Sequence, residues 1–190
     1  MSRVTGLRAD AALEKLRKGN NAYVESDAFR GNISRALRMD TFRNGQEPYA
    51  VIVACSDSRV IPEVIFSAGI GELFVIRVAG NVIDNHQLGS IEYAAEHLGC
   101  RLVVVLGHTN CGAVGAALSG KPGGFVGTIT DEIRKAIGDE KDAFTASCLN
   151  VRNSVDRIVQ TLGISNEDEE GLHVIGAMYH IDSGKIELLS

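Results

Sequence analysis

Two short stretches hold the residues whose types and spacing could do chemistry. The first, Tyr49 to Arg59 (YAVIVACSDSR), reads as a buried strand that stops at Cys55 and gives way to a polar turn carrying Asp57 and Arg59. The second, RLVVVLGHTNCG, repeats the arrangement and ends in His108 and Cys111. Two sulfurs and one imidazole, each just past the carboxyl end of an apolar strand, make a plausible three-ligand zinc site. A catalytic zinc usually takes three protein ligands from Cys, His and carboxylate and keeps a fourth position for water or substrate. The ends of neighbouring parallel strands are also where open α/β sheets build their sites.

A cysteine beside an apolar strand is ordinarily a small buried hydrophobe, and Cys100 and Cys148 are read that way. Cys55 and Cys111 differ because polar residues crowd them: Cys55-Ser-Asp57-Ser-Arg59 and His108-Thr-Asn-Cys111. His-x-x-Cys alone arises by chance; two strand-end clusters that together supply Cys, His and Cys are far more specific. Asp57 and Arg59 have two readings. As a surface ion pair they contribute ~0–1 kcal/mol. Placed two and four residues beyond a ligand, Asp57 could instead accept a hydrogen bond from metal-bound water, with Arg59 holding it ionised. Asp57 could also bind the metal as a fourth ligand and block water. His86, His97, His173 and His180 lack clustered partners and are read as structural. Gly69-x-Gly71 does not follow a strand and lacks the third glycine of a dinucleotide fingerprint.

These clusters need a scaffold. Ala11–Ser26 has helical spacing, with Asp10 as a possible N-cap. Asn32–Phe42 reads as a second amphipathic helix, and Pro48 fits a strand start. Pro62–Phe66 is a short helix with Pro in its first turn, and Glu72–Val78 the second strand. AGNVIDNH is a loop; Gln87–Leu98 is a helix closed by Gly99. Leu102–Leu106 is the third strand and Cys111–Leu118 a small-residue helix, followed by the loop SGKPGG. Thr128–Ile137 and Ser147–Leu162 are helices with a break at Gly138. His173–Tyr179 is the fourth strand, and Lys185–Leu189 a short final one after the turn Asp182–Gly184. Continuous Val/Leu/Ile runs mark strands covered on both faces. The expectation is an α/β fold: a mostly parallel central sheet of about four strands plus a short antiparallel edge strand, flanked by helices, with an N-terminal helical arm. Without repeats or linkers, residues 1–190 should form one domain.

Composition limits the partners. A net charge of −5 argues against nucleic acid, which needs a basic face. The start, MSRVTGLRAD, has no apolar core of signal-peptide length, and no stretch reaches membrane-spanning length, so a soluble, cytoplasmic protein without a membrane partner is expected. Four cysteines are too few for a disulfide scaffold in a chain of 190 residues.

With these residues in place, the sequence resembles the β-class carbonic anhydrases. CSDSR and HTNCG carry the likeness, and ALEKLRKGNNAYV, GELFVIRVAGN, SIEYAAEHLG and VIGAMYHIDSGKIELL extend it over nearly the whole chain. The resemblance implies one zinc per chain on Cys55, His108 and Cys111, and reversible hydration of carbon dioxide to bicarbonate by zinc-bound hydroxide that an Asp57–Arg59 dyad orients. It implies that Gln46 donates a hydrogen bond to substrate, that Gly112 offers its backbone N–H, and that Phe74, Ala79 and Tyr93 line an apolar pocket completed by a neighbouring subunit. A homodimer or homotetramer follows. Val78 stands where the family often has Asn, while Arg77 and Asn81 are retained. Ile52 stands where bicarbonate-inhibited members carry Trp, which favours an open form with Asp57 paired to Arg59; in a closed form Asp57 would be the fourth ligand. Ser119–Ala146 matches the family least. Two rival functions stand beside this one: a same-fold hydrolase of carbon disulfide or carbonyl sulfide, and a non-catalytic zinc- or bicarbonate-responsive module. A thiol-redox role is disfavoured, since neither Cys55 nor Cys111 lies in a C-x-x-C pair.

Overall fold

The structure is a computed structural model and describes residues 6–26, 28–120 and 123–189. The apolar runs become five strands: β1 (Ala50–Ala54), β2 (Leu73–Arg77), β3 (Leu102–His108), β4 (His173–Tyr179) and β5 (Ile186–Leu189). They form one sheet in the order β2-β1-β3-β4-β5. The first four are parallel neighbours and β5 runs antiparallel to β4, as the sequence led us to expect. Every residue of β1 and β3 is buried, which is why both read as unbroken hydrophobic stretches.

Among the described residues, seven α-helices surround the sheet: α1 (Ala9–Val24), α2 (Arg35–Asn44), α3 (Pro62–Ile65), α4 (Asn85–His97), α5 (Gly112–Ser119), α6 (Gly124–Ile137) and α7 (Ala143–Leu162). One face, from Ala50, Ile52, Leu73 and Val104, packs on α1 and α3. The other, from Val51, Val53, Val103 and Val105, packs on α4 and α7. α7 lies close enough that a Cβ on Gly107 would come within 2.5 Å of Val151 Cγ2, so β3 needs glycine there. A third cluster, at the carboxyl ends of β1 and β3, joins Cys55 and Cys111 to Val114, Ala117, Ile133 and Ile137.

Several boundaries moved. β3 runs on through His108 because Gly107 and His108 still pair with Met178 and Tyr179. α1 starts at Ala9 with Arg8 at its N-cap position, leaving Asp10 in the first turn rather than capping. α4 starts at Asn85, where Asp84 and Gln87 form a capping box. α6 and α7 start at Gly124 and Ala143, ahead of their expected positions; Asp142 caps α7 by accepting from Thr145 N–H. Gly138, at φ +55°, ends α6 as expected. AGNVIDNH is not wholly irregular: Ala79–Asn81 makes a 3-10 turn. Part of the SGKPGG loop, Lys121 and Pro122, lies outside the described residues. Among those residues no helix is long and apolar enough to cross a membrane.

Candidate metal centre

Cys55 is the first residue past β1, His108 the last of β3, and Cys111 the residue before α5. β1 and β3 are parallel neighbours, so their exits meet at one end of the sheet. Sulfur, imidazole nitrogen and sulfur lie within 4.8 Å of one another, and all three residues are buried. The group can hold a metal ion, and its donors suit zinc, which takes thiolate and imidazole together. His108 Nδ1 faces the Thr109 carbonyl at 2.9 Å. With the proton on Nδ1, the Nε2 lone pair is free for metal, and Nε2 is buried without a hydrogen-bond partner. A buried orphan of this kind is costly unless an ion takes it.

The two turns are braced differently. Past β1, the Arg59 backbone N–H donates to Asp57 Oδ1 at 2.9 Å. The Arg59 side chain grips the same carboxylate, Nε to Oδ1 at 3.0 Å and Nη2 to Oδ2 at 2.8 Å. Nη2 also reaches the Asn110 carbonyl at 3.1 Å, tying the first turn to the second. Asn110 sits at φ +56°, a left-handed conformation that asparagine tolerates better than most residues. Arg77, opposite Ala54 in the ladder, donates to the carbonyls of Cys55 at 3.1 Å and Asp57 at 2.7 Å. Past β3, Thr109 N–H donates to the Tyr179 carbonyl and Thr109 Oγ1 accepts from Ile181 N–H. Asp57 Oδ2 lies 4.0 Å from His108 Nε2, so the ion pair borders the metal group.

Charge follows this geometry. Hydrogen bonds from Arg59 hold Asp57 well below the usual carboxylate range, against the opposing effect of burial. The neighbouring Cys111 sulfur, with His108 and the Gly80 and Asp57 N–H groups, pulls Cys55 well below the usual thiol range despite burial. Cys111 is raised by its contact with Cys55 and by burial, with the Val114 and Ala113 N–H groups pulling the other way. Burial disfavours protonated His108, yet Cys55, the Thr109 carbonyl and Asp57 outweigh it, and its pKa rises.

The other expected site residues are dispersed. Gly112 opens α5 next to Cys111, and Ala79 begins the 3-10 turn that reaches Cys55. Phe74 and Tyr93 are neighbours, ring centroids 6.2 Å apart, on edge strand β2 and α4. Phe74 packs with the α4–α7 cluster rather than with the one holding Cys55 and Cys111. Gln46 is exposed before β1. Cys100 and Cys148 are buried free thiols. His173 faces the Asp168 carbonyl and His180 pairs with Glu187, both at 2.9 Å. Two contributions were not foreseen. Arg77 braces the first turn, and the parallel register beside Ala54 is the signal that could have revealed it. Gly80 N–H donates to Cys55 Sγ at 3.3 Å, with no local signal.

A family model described as carbonic anhydrase matches residues 50–186. A carbonic anhydrase of Mycolicibacterium smegmatis is 37% identical over 95% of this chain and 93% of its own length. Carbonic anhydrase 2 of Mycobacterium tuberculosis is 35% identical over 94% and 91%. Among solved structures, the β-carbonic anhydrase CafA of Aspergillus fumigatus superposes with a TM-score of 0.75 at 28% identity, covering 95% of this chain and 90% of that one. A tetrameric β-carbonic anhydrase of Sordaria macrospora gives 0.69 at 28% identity, over 95% and 98%. The chain belongs to the β-class carbonic anhydrase family. With that membership come a lyase of the carbonate dehydratase type and zinc as the metal for the Cys55, His108 and Cys111 group.

Proposed function

We propose that the protein catalyses the reversible hydration of carbon dioxide to bicarbonate and a proton, with Cys55, His108 and Cys111 as the ligands of one zinc per chain. The observation that carries this reading is the buried, unpartnered His108 Nε2 facing two thiol sulfurs, with the Asp57–Arg59 pair 4.0 Å away. Bound zinc supplies the positive charge that makes water acidic enough to ionise near neutrality. Asp57 Oδ2, the oxygen turned toward His108, would accept a hydrogen bond from the attacking water and aim its lone pair. Arg59 keeps that carboxylate ionised and fixed by two parallel bonds. With Asp57 committed to Arg59, its carboxylate would not serve as a metal ligand, which is the open form. Gly112 N–H and Gln46 would steady the product oxygens, and Ala79, Phe74 and Tyr93 would face carbon dioxide across a subunit boundary.

A homodimer or homotetramer fits the surface. No residue of α2 is buried, and it exposes Met39 and, at 83%, Phe42. Tyr93 is half exposed beside edge strand β2. Four free cysteines suit a reducing cytoplasm. The test is stopped-flow hydration on zinc-quantified protein, with Asp57→Asn in parallel and carbonyl sulfide and carbon disulfide as alternative substrates. The reading expects fast carbon dioxide turnover, most of which Asp57→Asn removes without loss of zinc. Turnover of the sulfur analogues alone would assign the site to the hydrolase chemistry instead.

A further inference from the structure

The 3-10 turn Ala79–Asn81 is held from a distance. Asn150 and Ser154 lie one turn apart on α7, and both are almost fully buried, at 2% exposure each. Asn150 Nδ2 donates to the Gly80 carbonyl at 2.8 Å, and Ser154 Oγ donates to the Asn81 carbonyl at 3.1 Å. The turn closes on itself through Asn81 N–H to the Val78 carbonyl at 2.9 Å. These bonds occupy the Gly80 and Asn81 carbonyls, and Gly80 N–H points at Cys55 Sγ. Gly80 is at φ +69°, and a Cβ there would sit 2.8 Å from Ile133 Cδ1 and 3.1 Å from Ala113 Cβ. The turn is therefore clamped between α6 on one side and the two α7 side chains on the other. A buried side-chain amide on a helix face is expensive unless its bonds are made. Here they are made to a backbone segment 70 residues away whose next free donor meets a metal-site sulfur.

We propose that Asn150, assisted by Ser154, is a positioning residue of the metal centre: it fixes the turn whose Gly80 N–H hydrogen-bonds Cys55 Sγ, and so sets how that sulfur binds the metal. The proposal rests on Cys55 being a zinc ligand. An N–H directed at a thiolate stabilises its charge and orients its lone pairs. Outer hydrogen-bond partners of metal ligands typically carry 10–100-fold in metal affinity or activity.

The experiment uses zinc-loaded and cobalt-substituted protein, with Asn150→Leu as the main variant and Ser154→Ala as a milder one. In the wild type, the Gly80 amide should exchange slowly with solvent and resonate downfield. In Asn150→Leu that protection should drop, zinc affinity by chelator competition should fall roughly 10–100-fold, and the sulfur-to-cobalt charge-transfer band should move to longer wavelength. Ser154→Ala should shift the same readouts less. A wild-type Gly80 amide that exchanges like an exposed loop would overturn the proposal without any variant. So would a folded Asn150→Leu with unchanged band and affinity, or, if that variant does not fold, a Ser154→Ala with neither altered. Wild-type protein that takes up no zinc would sink the ligand assignment itself, a failure visible in the metal content alone.

Discussion

The exits of β1 and β3 supply the same kind of atom to one site yet are built for different work. The β3 exit contributes His108 and Cys111, is fully buried at His108, and is stitched by the Thr109 backbone to Tyr179 of β4 and by its side chain to Ile181 just beyond. The β1 exit contributes Cys55 and then turns outward to Asp57 and the half-exposed Arg59. It is held by arginines, Arg77 from below and Arg59 across to Asn110, rather than by sheet pairing. A rigid exit suits gripping metal. A polar, arginine-braced exit suits holding a charge beside it. Damage at β3 should therefore appear first in metal content, and damage past Cys55 in turnover.

The largest effect tests the grip. His108→Ala and Cys55→Ala should each leave well under one zinc per chain and negligible hydration; metal analysis giving one equivalent in either variant would remove that residue from the ligand set. Asp57→Asn comes next. It should retain zinc while turnover drops roughly 10²–10⁴-fold, the range of a lost proton acceptor, and an unchanged rate would reduce the dyad to a surface ion pair. Arg59→Lys keeps the charge but loses the fork and the Asn110 bridge. Its expected cost is about tenfold in kcat with zinc intact, read by the same assay; loss of metal instead would erase the division of labour between the exits.

Acidity sharpens the comparison. His108 and Cys111 both hold their protons more tightly than usual, and a ligand must shed its proton to bind metal. Zinc retention should thus weaken as pH falls, protons competing with the metal for the thiolates and the imidazole. The Asp57 carboxyl lies below its ordinary range, so it stays ionised over that whole interval. Dialysis against a chelator at a series of pH values should show release growing with acidity; equal release throughout would contradict it. The smallest effect is Thr109→Val, which strands the Ile181 N–H and should lower stability by about 1–3 kcal/mol in denaturant melts, with kcat little changed.

How much of this was legible follows from how local each signal is. The strands were legible because burial on both faces leaves no polar alternation, and the convergence of Cys55, His108 and Cys111 because polar residues crowd both strand ends. β3 was read two residues short because Gly107 and His108 do not look like strand; only pairing with Met178 and Tyr179 keeps them extended. α6 and α7 were begun late because Gly124, Gly127 and Phe144 are weak helix signals against the pull of tertiary packing. The turn at Ala79–Asn81 was not legible, since Asn150 and Ser154 define it across some seventy residues. Arg77 was noticed for its type, but its task, fastening the carbonyls of Cys55 and Asp57, emerges only from register.

The most direct check on the shared grip of the two exits is zinc K-edge absorption on wild-type protein of known metal content. Convergence of Cys55, His108 and Cys111 predicts two sulfurs at about 2.3 Å and two nitrogen or oxygen atoms at about 2.0–2.2 Å. A shell holding one sulfur or none would contradict the joint grip of Cys55 and Cys111 on one ion.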